Sequence, residues 1–558
     1  MSEPADESPL DSLVHARRHQ IFPMLTPEQM EIISRYGERR HFPPDHLLFE
    51  QGQRHIDTFI IVSGTIRVER STAIRSRVIG TFGAGMFTGD IGTLAGRAAV
   101  ATARTVTECE MIVLDEEALR SLVISEAELS ELIMRAYILR RVAFIADKEG
   151  GGVIVFGSQR TGSALGLREF LGRNAQPAAY FDAEEHEAAA ELMARFDIHM
   201  DDLPAVVTTG GVVLKKPSNR AVADALGISP DNLNGRHFDI AVVGAGPAGL
   251  AAAVYGASEG LRVVVLDTKA AGGQAGTSSR IENYFGFPTG ISGVALAGRG
   301  LSQARKFGAE VAVPIEVRRL VCAGQGKPFN IELDNGDHID ARAVVVASGA
   351  RYRKPQIAHL EQFEGRGIYY NASYMEATFC SKADVIIVGG GNSAGQAAVF
   401  LSSHARHVHI MVRSEGLAAS MSQYLIQRIE AADNITLHSR TQIVELQGDG
   451  KLQRVLCRCG DDPLRPFDVE HVFLFLGAEP NTNWLSDCVQ LDDKGFVLTD
   501  ARIPADRWPL ERAPYYLETS QPGVFAVGDA RSGSVKRVAA AVGEGAAAIQ
   551  AVHQFLAG

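Results

Sequence analysis

Apolar and polar positions change rhythm several times along this chain. Between about 20 and 125, short strand-like runs alternate with glycine turns, as in HLLFEQGQ, TFIIVSGTIRVER, RVIGTFGAGMFTGDIGTLAG and AVATARTVTECEMIVLD. Short strands at regular spacing, separated by turn signals, predict a small β-barrel or jelly roll. Over 126–147 the period lengthens, with Leu129, Leu132, Ile133, Ala136, Leu139 and Val142 at helical spacing, which predicts one long closing helix. From 152 onward strand and helix alternate. VIVFGSQRTGSALGLREFL is a strand, loop and helix; AAYFD is a strand; EEHEAAAELMARFDI is a helix; LPAVVTTGGVVL is a hairpin; a helix over 219–226 follows PSN. Beyond 236, β-branched blocks enter glycine loops and then alanine-rich helices, the pattern of parallel strands in α/β domains.

The stretch DIAVVGAGPAGL, 239–250, is the sharpest of these. Gly244 permits a tight turn, Gly246 lets backbone approach a pyrophosphate, and Gly249 lets helix and strand pack closely. Pro247 and Ala248 open the helix, whose unpaired N–H groups and positive dipole end face the phosphates. A second strand, 261–266, ends in Asp267, where a carboxylate can accept from a ribose diol. The motif repeats at DVIIVGGGNSAGQAA, where Gly389, Gly391 and Ala394 hold the three glycine positions and Asn392 and Ser393 open the helix. Two such units imply two dinucleotides. After the second loop the strand HVHIMVRSEGL ends in Arg413, beside Ser414, where the first unit has an acid. A cation there suits a 2′-phosphate, so NADPH is expected in preference to NADH.

At 558 residues the chain is too long for one core and predicts three or four domains. A formal net charge of −11 argues against a nucleic-acid backbone or an anionic membrane as main partner. The opening MSEPADESP has neither a basic region nor an apolar one, so a cytoplasmic location is expected. The apolar window 240–257 is broken by Pro247 and the nucleotide-loop glycines, and is not expected to span a membrane. Six cysteines (109, 322, 380, 457, 459 and 488) in so long a chain do not predict a disulfide framework. No metal site is expected; Cys457 and Cys459, on one side of a strand-like segment, are expected to pack in a core.

The first segment resembles a cyclic-nucleotide-binding domain of the catabolite-activator and kinase-regulatory type, in Gly89-Asp90-Ile91 followed by Arg97-Ala98-Ala99. The resemblance implies that Arg97 pairs with a cyclic phosphate and that Asp90 stands at the ribose hydroxyl. A barrel that binds another small ligand, or only docks domains, is the alternative. The second segment resembles a thioredoxin-like domain, with Leu203-Pro204 at the proline that is cis in that family. Its redox position reads Ser158-Gln159-Arg160-Thr161, and no cysteine lies between 110 and 321, so the domain by itself cannot exchange thiols and a binding or spacer role is expected. Because this domain lies between the barrel and the dinucleotide loops in sequence, the barrel is expected not to touch the chemistry carried there.

From about 237 to 558 the chain strongly resembles the thioredoxin reductase family. The motifs are GGQAGTSSRIENYFGFP, ARAVVVASGARYRKP and GVFAVGDARSGSVKRVAAAVGEGAAA, added to the two nucleotide loops. The resemblance implies a homodimer with FAD at Gly246, Asp267, Gln274, Asn283 and Asp529, and further contacts at Val317, Ser348, Gly349, Arg537 and Val538. The aspartate would bond the ribityl hydroxyls, and the following helix N-terminus would face the isoalloxazine carbonyl. The implied domains are 1–148 (cyclic-nucleotide-binding-like barrel plus helix), 149–230 (thioredoxin-like), 236–354 and 479–558 (FAD) and 355–478 (NAD(P)H). The redox Cys-x-x-Cys of the reductases would fall within Asn371 to Met375, and neither position is cysteine; Cys380 stands alone. Without two sulfurs to leave as a disulfide, the usual cycle is unavailable. Three functions follow: a flavin NAD(P)H oxidoreductase with an unidentified acceptor, a non-catalytic flavin sensor signalling to a partner, or electron transfer of the ferredoxin/flavodoxin NADP reductase type. Members of that last branch usually add an aromatic C-terminal extension, and HQFLAG here directly follows the final helix.

Overall fold

The computed structural model describes residues 17–71, 76–146, 153–158, 162–176, 178–184, 187–230, 232–322, 327–372, 374–485 and 488–558. Gln159, Arg160, Thr161 and Ser373, and the side chains of Val142 and Met375, lie outside the described residues.

The barrel is two sheets face to face. One orders Glu38–Phe42, Cys109–Leu114 and Thr58–Ser63; the other orders Leu47–Phe49, Thr102–Thr105, Ile66–Ser71 and Ser76–Phe82. Alternation along Ile66–Ser71 buries Ile66, Val68 and Arg70, and the apolar pair joins Phe49, Phe59, Ile61 and Met111 in the core between the sheets. Asp115 caps the helix Glu116–Ser125 by accepting from the Ala118 amide at 2.8 Å, and the long expected helix follows as Ala127–Ala146.

Residues 153–225 form a four-stranded sheet in the order Val213–Lys215, Ala205–Val207, Val153–Gly157, Ala178–Asp182. The pair Val153–Gly157 and Ala178–Asp182 is parallel, the other contacts are antiparallel, and the Leu203-Pro204 peptide is cis.

The two α/β units that follow are nested. The larger sheet runs Glu310–Ala312, Val263–Leu266, Arg236–Val243, His338–Val346, Phe329–Leu333, Val317–Val321, and Val524–Ala526 joins it beside His338–Val346. Its strands around Ile240, Val242, Val344 and Phe525 are buried on both faces, which is why they are continuous apolar blocks. The helix Pro247–Ser258 packs on this sheet and against the helix Val538–Ala557, which touches the sheet as well; a Cβ at Gly545 would collide with the Ala248 carbonyl. The second unit is a five-stranded parallel sheet, Ile368–Tyr369, His471–Leu474, Asp384–Val388, His407–Met411, Ile435–His438. An antiparallel ribbon of Ala350–Tyr352 and Ala478–Pro480 carries the chain across to it and back.

Two expectations are corrected. Cys322 and Cys488 are disulfide-bonded across a separation of 166 residues, because the end of Val317–Val321 and the segment after Asn483–Leu485 meet over one core. The barrel is not held away from the flavin module either: the helix Gly293–Lys306 of the larger α/β unit packs directly on Thr93–Ala95 and on Glu116–Ser125. Contacts in space here override separation in sequence. None of the described helices is long and apolar enough to cross a membrane.

Candidate functional site

The first glycine loop has the strand, turn and helix its spacing predicts. Gly244, at φ +110°, turns where a Cβ would strike the Ala347 carbonyl, and a Cβ at Gly249 would strike the Gly244 carbonyl. At Gly246, by contrast, an added Cβ would meet only the Gly273 Cα, at 3.9 Å, so the loop is open there. Gly246 is the N-cap of Pro247–Ser258, with Pro247 pre-set for the first turn and Ala248 and Gly249 buried behind it. Asp267 first does something sequence did not suggest: its carboxylate accepts from the amides of Ala245 (2.8 Å), Lys269 (2.9 Å) and Ala270 (3.2 Å), pinning the loop to the end of its strand. A carboxylate has about four acceptor sites, so roughly one is left for a ribose hydroxyl.

The rest of the cradle converges on the same loop. Ser348 donates to the Asn481 carbonyl at 2.6 Å and Asn481 donates back to the Ser348 carbonyl at 3.0 Å, fixing Gly349 (φ +65°) at the ribbon's entrance. Gly528 donates its amide to Glu544 at 2.7 Å, and Glu544 pairs with Arg531, so the turn Gly528–Ala530 is locked from behind. Among the described residues no donor bonds the Asp529 carboxylate, because Lys536 reaches the Asp529 backbone carbonyl instead. Burial raises its carboxyl above the usual range, against the pull of Lys536. An under-bonded, half-buried acceptor beside an open glycine loop fits the hydroxyls of a dinucleotide. Arg537 caps Val538–Ala557 and is exposed, Val538 is half-buried, Val317 is buried in the sheet core, and Asn283 is exposed.

The second loop is built alike. Gly389 has φ +142° and a Cβ there would crowd the Phe475 carbonyl at 2.5 Å; Gly391 caps Asn392–Ser402, and Ala394 is buried in place of a third glycine. Asn392 accepts from the Ser422 amide at 2.7 Å. Arg413 is exposed and, among the described residues, has no ion-pair partner.

Where the two α/β units meet lies an open cleft of ≈ 370 Å³. Gln274, Thr277, Ser278 and Ser279 line one side, and Asn371, Ser393, Gln396 and Phe475 the other, with Tyr352 of the ribbon at the join. Gln274 is tied to the Ala350 carbonyl at 2.5 Å, and Tyr352, its hydroxyl pKa raised by burial, bonds Ser393 and meets Phe475 edge-on. Thr277 donates to Asn371 across the cleft at 3.4 Å, and Arg428 pairs with Glu282 across the same junction at 2.6 Å. No cysteine is among the lining residues. Cys380 is fully buried, its thiol pushed up to about 12 by burial and then by Glu376; burial likewise pushes Cys457 to about 12, where its sulfur packs on Met411. Neither is a thiolate near neutral pH, and neither faces the cleft. Among the described residues no cluster of histidine, cysteine or acid could hold a metal.

The barrel's turn from Gly89 to Arg97 is packed more deeply than sequence suggested. Gly89 adopts φ +101° against the Tyr137 ring, and Arg140 donates to its carbonyl at 2.9 Å. Asp90 accepts from the Gly92 amide at 2.6 Å and pairs with Arg141 at 3.2 Å, which ties part of this carboxylate to the turn. Arg97 is buried. Ala98 faces Gly227 of the following domain so closely that a Cβ on Gly227 would lie 2.9 Å from it.

Comparison with known proteins agrees with this arrangement. Residues 238–545 match the family model described as pyridine nucleotide-disulphide oxidoreductase, and residues 39–126 match that of the cyclic nucleotide-binding domain. The chain is 31% identical over 323 residues to the thioredoxin reductase of Listeria monocytogenes, covering 57% of this chain and 94% of that protein. It is 32% identical over 320 residues to the thioredoxin reductase of Treponema pallidum, covering 57% of this chain and 97% of that one. The crystal structure of T. acidophilum thioredoxin reductase is similar at TM-score 0.52 and 30% identity, over 58% of this chain and 100% of that one.

Proposed function

We propose that this chain, which belongs to the pyridine nucleotide-disulphide oxidoreductase family, is an NADPH-dependent flavin oxidoreductase that passes electrons onward without an internal dithiol. The observation that carries the reading is the cleft where the two α/β units meet: Asn371 and Ala372 line it, and the described cysteines lie elsewhere.

The first loop, Asp267, Ser348 and Asp529 would hold FAD, and the second loop with Arg413 would hold NADPH. FAD bound there supplies two-electron chemistry, accepting hydride from a nicotinamide. The protein's own part is placement and polarity. The amide ends of Pro247–Ser258 and Asn392–Ser402 would bring positive dipole ends to the pyrophosphates. The N-terminus of Val538–Ala557 would stabilise negative charge on the ring system. Tyr352, Phe475 and Ala397 narrow the cleft, while Asn371, at the redox pair's position, offers an amide that can bond but cannot carry electrons.

The middle domain is read as thioredoxin-like, a reading supported by its sheet order and the cis Leu203-Pro204 peptide. Having no cysteine, it serves as a docking part. It sits against the flavin loop: Arg173 donates to the Gly273 carbonyl at 3.0 Å and Asn174 to the Lys269 carbonyl at 2.9 Å. The barrel is read as the domain that takes a small phosphate-bearing ligand.

The test is NADPH oxidation by the flavin-loaded protein with different acceptors. Sustained turnover with a dye or quinone and none with thioredoxin disulfide is expected. Robust thioredoxin reduction would refute the reading, and bleaching that stops after one turnover with every acceptor would make the protein a sensor.

A further inference from the structure

The phosphate turn of the barrel contains more positive charge than the barrel needs. Arg97 and Arg141 are 9% and 5% exposed, and Arg305, from the larger α/β unit, is 6% exposed beside them. Arg54 adds a fourth cation, held by the Ser229 carbonyl at 2.9 Å. Asp90 is the carboxylate in electrostatic reach of Arg97 and of Arg305, and it is already paired with Arg141. Among the described residues the guanidinium groups of Arg97 and Arg305 make no hydrogen bond or ion pair. Burying a guanidinium without a partner is costly, and placing it among others of the same sign raises that cost. The cluster shows this strain: burial first, then Arg305, Arg141 and Arg54, drive Arg97 well below its ordinary value, and burial with Arg141 takes Arg305 to about 10.

The position of Arg305 connects this cluster to the cleft. Arg305 stands near the C-terminal end of Gly293–Lys306, and that end packs on Thr93–Ala95 of the phosphate turn. The other end begins at Gly293, whose amide bonds the Ser278 carbonyl at 2.9 Å, and Ser278 lines the cleft. Fourteen helical residues span about 21 Å, so one rigid element joins the two places.

We propose that the barrel and the flavin unit share one anion site, in which a phosphate ester is clamped by Arg97 and Arg141 from one side and Arg305 from the other. The inference rests on reading the barrel as a ligand domain and adds what that reading lacks, a residue of the reductase inside the ligand site. An anion there replaces mutual repulsion of buried cations by charge-assisted bonds, which favours the docked arrangement of barrel on helix. The ligand then acts on the cleft by its unequal affinity for docked and undocked forms.

The experiment is calorimetric titration of the full flavin-loaded chain with cAMP, cGMP, AMP and inorganic phosphate, in native protein, Arg97→Gln, Arg305→Gln and Arg305→Lys, with flavin bleaching by NADPH followed in parallel. Native protein is expected to bind at least one of these anions, and the four arms distinguish cyclic ester, open nucleotide and free phosphate. Arg305→Gln should weaken binding about ten-fold or more, Arg305→Lys should recover part of it, and the bleaching rate should respond to ligand in native protein but not in Arg305→Gln. A thermal melt checks that the variants fold. Undiminished binding in Arg305→Gln, with loss in Arg97→Gln, would overturn the shared site and leave the barrel as an independent ligand domain. No binding to native protein by any of the four would overturn both, while bleaching by NADPH still judged the reductase separately.

Discussion

Replacing Arg413 by alanine removes one exposed cation just beyond the strand His407–Met411 and nothing else. Because this guanidinium has no ion-pair partner among the described residues, stability should change by less than about 0.5 kcal/mol, so lost activity cannot be blamed on unfolding. A contact from Arg413 to a 2′-phosphate is charge-assisted, in the range of about 1.5–3 kcal/mol, and competition from water at an exposed site puts it at the low end. With about 1.4 kcal/mol per factor of ten, Arg413→Ala should raise KM for NADPH roughly ten-fold and leave NADH unaffected. No neighbour fully replaces it: the Ser414 hydroxyl donates to the Gly416 carbonyl at 2.8 Å, and Arg440 is drawn to Glu415 at 3.4 Å. The assay is anaerobic bleaching of the bound flavin over a range of each nucleotide. Native protein that uses both equally, or a variant that loses both equally, would refute the role of Arg413.

Three further outcomes follow from the buried groups. Iodoacetamide at pH 8 should leave NADPH-dependent bleaching intact, since thiols displaced to about 12 are thiolate in roughly one molecule in ten thousand; rapid inactivation would show a reactive cysteine at the site. Asp529→Asn should lower flavin occupancy while raising the melting temperature of the apoprotein at pH 7: a carboxyl raised by burial stabilises the fold fully below its unfolded value and loses that contribution as pH rises through the folded value, so at pH 7 the amide relieves a cost. Equal melting temperatures would refute that sign. Unfolded, unreduced protein should titrate four thiols and reduced protein six, the difference being Cys322 and Cys488; six without reductant would exclude the bridge.

What sequence disclosed was local. Gly244, Gly246 and Gly249 were legible because each answers a constraint from the residues on either side of it, and the replacement at Asn371 was legible because a missing cysteine is visible without a structure. Alternating strands gave the barrel, and the period change at 126 gave its closing helix. What failed was long-range. Arg305 is 208 residues from Arg97 (305 − 97), on a helix whose pattern only says that one face is buried. The Cys322–Cys488 bridge likewise joins segments that meet only after both folds close. Asp267 gives most, and Asp90 part, of its acceptor capacity to nearby backbone amides or an arginine, a use that spacing alone does not reveal.

The nesting of the two α/β units also bears on how the protein is made. The flavin unit's sheet is seeded by Arg236–Val243, yet Val524–Ala526 must still slot beside His338–Val346, and Val538–Ala557 must still cover Pro247–Ser258. During synthesis, then, the nucleotide-loop helix and its sheet emerge from the ribosome with an apolar flank uncovered, and the whole unit between the two ribbon strands is translated before the cover arrives. Such an intermediate exposes strand edge and aliphatic surface for as long as that takes, which is the state chaperones recognise. The ribbon of Ala350–Tyr352 and Ala478–Pro480 shortens the wait, because its pairing brings the returning chain back to the point where it left. Weakening that ribbon should therefore lower the yield of folded protein in cells more than it lowers the stability of molecules already folded.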